Sequence, residues 1–88
     1  MLNTTIESNP EILRKKLRWR SRRSLLELDL LLNKFVSSKV FDAFTMQKLE
    51  IYQAMLNWDD DYLLSLLCNN TKHLDKDVTE IVELIMRE

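Results

Sequence analysis

Apolar residues recur along this chain at three- and four-residue spacing, the pattern of helices that bury one face. Ser8, Asn9, Pro10 and Glu11 read as the first helix start. Ser8 and Glu11 have capping-box spacing, and Pro10 suits a first turn. This helix is expected to reach about residue 22. Leu13, Leu17 and Ser24 fall near one face, with Ile12 and Trp19 on the flanks. The run Leu25-Leu26-Glu27-Leu28-Asp29-Leu30-Leu31-Leu32 continues through Phe35 and predicts a second helix to about residue 39. It is apolar nearly all round at Leu30, Leu31 and Leu32, which marks it as the central helix.

Thr45 is the next capping residue, and Leu49, Tyr52, Met55 and Leu56 repeat behind it, giving a third helix over residues 46–57. Asp59, Asp60 and Asp61 favour a helix N-terminus by capping and by the macrodipole. A fourth helix over 61–68 follows, burying Leu63, Leu64, Leu66 and Leu67, and Asn69, Asn70 and Thr71 close it. Asp77 and Glu80 again have capping-box spacing. Val78, Ile81, Val82, Ile85 and Met86 then mark a last helix to about residue 87. The expected fold is all-α: one compact domain of about five short helices, with residues 1–8 a flexible start.

Composition strengthens the helical reading. The chain has 88 residues and no glycine. A β-rich fold of this size needs several turns with positive φ, which glycine usually supplies. The hydrophobic share of 45% is enough for a packed core. No apolar run approaches the roughly 18 residues of a membrane span. The lone Cys68 excludes an internal disulfide, so a soluble protein of the cytoplasm, or of an equivalent reducing space, is expected.

Charge adds an asymmetry that the net value of −1 hides. Seven of the thirteen basic residues lie between positions 14 and 23, with no acid among them. The remainder holds six basic and fourteen acidic residues, a net of −8. The basic run has three readings: a nucleic-acid surface, a protein-docking face, or a solvated helix face. The acidic remainder counts against nucleic acid.

Chemistry-bearing residues are sparse. His73 is the only histidine and sits in a polar stretch. Cys68, at the end of an apolar helix, reads as a small core residue. The Asp59 to Asp61 run lacks the alternation and glycine of a calcium loop. Nothing resembles a phosphate-cradling loop. These features argue against an enzyme and against a resident metal.

The specific signal is Arg22-Arg23-Ser24-Leu25-Leu26-Glu27-Leu28-Asp29. It resembles the signature of the SdhE-type succinate dehydrogenase assembly factors, Arg-Arg-Gly-x-x-Glu-Leu-Asp. Arg23, Ser24 and Glu27 stand at the three central positions, flanked by Arg22 and Asp29. Trp19 stands where some members carry an aromatic residue. Length and helix order extend the resemblance from about residue 13 to residue 86. It implies a helical protein that binds the flavoprotein subunit of succinate dehydrogenase, or of fumarate reductase, and promotes covalent attachment of FAD to it. It further implies no stably bound cofactor, since the FAD belongs to the partner. The residues expected at the partner are Arg23, Ser24, Glu27, Arg22, Asp29 and Trp19.

Ser24 departs from the family's glycine. Glycine there would serve a positive φ or a close approach to a partner backbone; alternatively, Ser24 and Glu27 have capping-box spacing and Ser24 reads as an N-cap, where serine serves at least as well as glycine. Glu27 then has two readings, partner contact and helix cap. Arg23 is expected to present its planar fork to a partner, because no helix-forming role requires arginine there. A nucleic-acid module using residues 14–23 and a generic protein-binding adaptor stand as alternatives.

Overall fold

A computed structural model describes residues 9–68 and 75–87. Six helices occupy them in the order α1 (Pro10–Arg20), α2 (Leu26–Val36), α3 (Lys39–Asp42), α4 (Met46–Leu56), α5 (Asp60–Cys68) and α6 (Lys76–Arg87), with no strand among the described residues. The all-α expectation holds. The central place given to the second helix holds too, since α2 packs against α1, α3, α5 and α6, while α4 joins α1 to α6. Among the described residues, no helix is long and apolar enough to cross a membrane.

Several boundaries move, each for a local reason. The cap of α1 is Asn9, whose Oδ1 accepts from the Glu11 N–H at 2.9 Å; Ser8 lies outside the described residues. Helix α1 stops at Arg20 rather than near residue 22. Ser21 is its C-cap: the hydroxyl donates to the Leu17 carbonyl at 2.7 Å, the N–H donates there too at 2.9 Å, and the next N–H, of Arg22, turns back to the Trp19 carbonyl at 3.2 Å. Ser21 therefore takes the buried position one turn beyond Leu17, and Ser24 is exposed in the loop. Helix α2 ends at Val36, three residues early. Ser38 then caps the short α3, accepting from the Phe41 N–H at 3.4 Å, which the pattern of apolar residues did not foretell. Leu30 is exposed on α2, so that helix is not buried all round.

Helix α5 begins at Asp60, one residue early, and Leu64 is only half-buried on it. Cys68 is exposed, not a core residue. Asp75, rather than Asp77, caps α6: its Oδ1 accepts from the Asp77 N–H at 2.8 Å. Glu80 instead pairs with Lys48 at 3.3 Å, and Met86 is exposed. Asn69, Asn70, Thr71 and His73 lie outside the described residues.

The buried side chains form one cluster. Its centre is aromatic: Phe35, Phe41, Phe44 and Tyr52 meet with ring centroids 5.4 to 5.7 Å apart, mostly edge to face. Leucines of α1, α2, α4 and α5 and the Val78, Ile81, Val82 and Ile85 face of α6 surround it.

Candidate functional site

The loop between α1 and α2 carries the motif, and it is fastened from within. Ser21 is fully buried, with its hydroxyl 2.7 Å from that of Tyr52. The single Ser21 hydroxyl hydrogen already goes to Leu17, so Tyr52 donates and Ser21 accepts. Tyr52 keeps that proton because burial pushes its pKa up to about 12, against smaller opposing effects of the Ser21 bond and the Arg23 charge. The Asn33 amide, reaching from α2, donates to the Ser21 carbonyl at 3.4 Å and to Asp29 Oδ1 at 2.9 Å.

Arg23 is the main fastener. Its backbone N–H donates to Asp29 Oδ1 at 2.8 Å. Its guanidinium turns inward, donating to the Leu56 carbonyl at 2.8 Å and to Asp60 Oδ1 at 3.3 Å. Only 16% of the side chain is exposed, and its Nε is buried without a hydrogen bond. Leu56 is the last residue of α4 and Asp60 the first of α5, so Arg23 ties the motif loop to that helix junction. The carbonyls of a last helical turn lack intrahelical donors, and a cation there also meets the negative end of the macrodipole.

The basic run repeats this device. Arg14 donates to the Phe44 carbonyl at 3.0 Å, just beyond α3. Arg18 donates to the Val36 carbonyl, the last of α2, at 3.1 Å and pairs with Asp42 at 2.7 Å. Arg20 bonds Asn57 Oδ1, beyond α4. Four of the seven cations therefore secure the ends of other helices, a role that none of the three sequence readings contained.

The other motif residues face outward. Arg22, Ser24 and Glu27 are exposed. The Arg22 guanidinium lies over the Trp19 ring, 4.9 Å from its centroid, and Trp19 is 72% exposed. Leu25 holds the N-cap position of α2 and makes no side-chain cap bond, so the expected Ser24–Glu27 capping box is not formed. Asp29, the carboxylate bound to the Arg23 N–H, sits one turn further on. Glu27 instead accepts from the Cys68 thiol at 3.9 Å. Partial desolvation, then the Glu27 charge, raise the Cys68 pKa, the opposite of an activated nucleophile.

The expected site residues thus separate into two sets. Arg23 and Asp29 fasten the loop; Trp19, Arg22, Ser24 and Glu27 line its outer side. Sequence reasoning missed Ser21, Asn33 and Tyr52, although Ser21 lies one turn beyond Leu17 on the buried face. Trp19 and Arg22 also border an open depression of about 210 Å³, lined with Arg18, Asn33, Val36 and Ser37. Small-molecule sites usually hold roughly 300–1,000 Å³. Among the described residues, no three His, Cys, Asp or Glu side chains gather to hold a metal ion.

The family model described as "flavinator of succinate dehydrogenase" matches residues 15–88. Proteins named FAD assembly factor SdhE are similar along most of their length. The one from Wigglesworthia glossinidia brevipalpis is 36% identical over 69 residues, covering 78% of this chain and 81% of the relative. That from Coxiella burnetii is 34% identical over 80 residues, covering 86% and 96%. That from Legionella pneumophila (strain Paris) is 35% identical over 72 residues, covering 82% and 89%. No solved structure gives a significant match. The fastened motif loop and these matches lead to one assignment: the chain belongs to the family of flavinators of succinate dehydrogenase.

Proposed function

We propose that this protein is an assembly factor that binds the flavoprotein subunit of succinate dehydrogenase, or of a related fumarate reductase, and promotes covalent attachment of its FAD. The observation that carries this reading is the loop at residues 21–25. It is held from inside by Arg23, Asp29, Asn33 and Tyr52, while Trp19, Arg22, Ser24 and Glu27 stay exposed. A surface fixed before binding loses little conformational freedom when a partner docks.

The protein forms no bond itself. It binds one conformation of the flavoprotein better than others and raises its population, so FAD and the accepting side chain meet in reactive geometry. The FAD stays with the partner; the two depressions that border Arg18, about 210 and 270 Å³, are small for a dinucleotide. The site of action is the cytoplasm, or an equivalent reducing space. Co-expression with a cognate flavoprotein subunit tests this, with covalent flavin read as in-gel fluorescence under denaturing conditions. The reading predicts fluorescence that falls when the gene for this chain is deleted. Unchanged fluorescence at limiting FAD refutes it.

A further inference from the structure

Helix α2 bears apolar residues on a side the core does not use. Leu26 is 69% exposed and Leu30 62%. They stand one turn apart, and Asn33 and Ser37 continue their stripe at helical spacing. Asn33 and Ser37 also line the depression bordered by Trp19 and Arg22. The stripe therefore runs on into Trp19, the most exposed large apolar side chain among the described residues. Of the other exposed large hydrophobics, Ile12 lies two turns before Trp19 on α1, and Tyr62 and Met86 lie on α5 and α6; none exceeds 46%. Single exposed hydrophobics are ordinary; three on one connected surface mark an interaction site.

Charge indicates the occupant. Arg22 lies over Trp19, and no acidic side chain lines the depression between them and α2. Arg18, at the same edge, is engaged by Asp42 and Val36. Arg22 forms no ion pair among the described residues, so its charge is available to meet a carboxylate. Glu27 flanks Leu26 on the opposite side of the stripe, where its charge disfavours a phosphate backbone. Tryptophan and arginine are also the side chains that most often dominate binding energy at protein interfaces.

We infer that Trp19, Arg22, Leu26 and Leu30 form the docking surface for the flavoprotein subunit, meeting there a patch with an apolar centre and a carboxylate opposite Arg22. The inference rests on the proposed function and extends the partner face beyond the motif, along α2. The test is affinity for the purified cognate flavoprotein subunit, measured for the intact chain, a Leu26→Ser/Leu30→Ser double variant, Arg22→Gln and Met86→Ser. All substituted positions are exposed, and melting temperatures verify that each variant folds. The double variant is expected to weaken binding about thirtyfold or more and Arg22→Gln about tenfold. Met86→Ser is expected to bind as the intact chain does. If the intact chain binds and the double variant stays within about threefold of it, the stripe is not the docking surface, while the proposed function stands. If the intact chain does not bind the subunit at micromolar concentration, the proposed function fails and takes this inference with it. If the chain alone forms a dimer that the double variant breaks, the stripe is a self-interface and the inference is overturned.

Discussion

The two connections that flank α2 differ in how far burial holds them. Residues 21–25 are secured by directed bonds: Tyr52 to Ser21, Arg23 to Leu56 and Asp60, Asp29 to the Arg23 N–H, Asn33 to the Ser21 carbonyl. Residues 37–45 add burial to such bonds: Arg14, Arg18 and Ser38 hold their edges, and Phe41 and Phe44 pack into the aromatic cluster with Phe35 and Tyr52. Directed bonds require particular atoms at particular positions. Burial requires only apolar volume that fits. The first connection can therefore hold an exact surface toward a partner, and the second mainly closes the core. Tyr52 serves both, its ring in the cluster and its hydroxyl under the loop.

Substitutions break this contrast to different degrees. Phe35→Ala, at the centre of the cluster, is expected to cost about 3–5 kcal/mol. For a domain this small that is much of its stability, and urea unfolding followed by circular dichroism measures it. Arg23→Ala is expected to cost about 2 kcal/mol, because a charged donor leaves a carbonyl and a carboxylate unanswered. Arg23→Lys should recover only part of this, since an ammonium lacks the planar fork.

Tyr52→Phe separates the two roles of that residue. It keeps the ring and removes one hydrogen bond, for an expected loss of about 1 kcal/mol near neutral pH. The wild-type chain should also lose stability as pH rises from about 10 toward 12. The unfolded tyrosine releases its proton near pH 10, while the folded one holds its proton up to about 12. Stability contributed by the neutral phenol is thus complete below pH 10 and lost above it. The Phe variant should lack this component in denaturant titrations across that range. Ser24→Gly is the smallest change. Ser24 is exposed and caps nothing, so stability should shift by less than about 1 kcal/mol, through the flexibility of the unfolded chain.

Much of the fold was legible in the sequence because helix periodicity is local. Leu49, Tyr52, Met55 and Leu56 recur at helical spacing and are all buried. The break at residues 37–38 was not legible: Ser37 and Ser38 interrupt an apolar pattern too briefly to register, and the turn is fixed by where the Phe41 and Phe44 rings pack. The site was legible in part. The motif identified the loop, but sequence does not say which way a side chain turns. Arg22 and Arg23 are adjacent and chemically identical; one stacks outward on Trp19, and the other reaches a helix end 33 residues away in sequence. The reach of Arg14 and Arg18 to Phe44 and Val36 is likewise tertiary and leaves no local trace.

On the proposed function, the inner side of the motif loop holds the fold while its outer side meets the partner. The most direct measurement is the covalent flavin yield of the flavoprotein subunit supported by Arg22→Ala at limiting FAD, read beside the variant's melting temperature. The expected yield is well below that of the intact chain, with the melting temperature unchanged. A wild-type yield from the fully folded variant would contradict it.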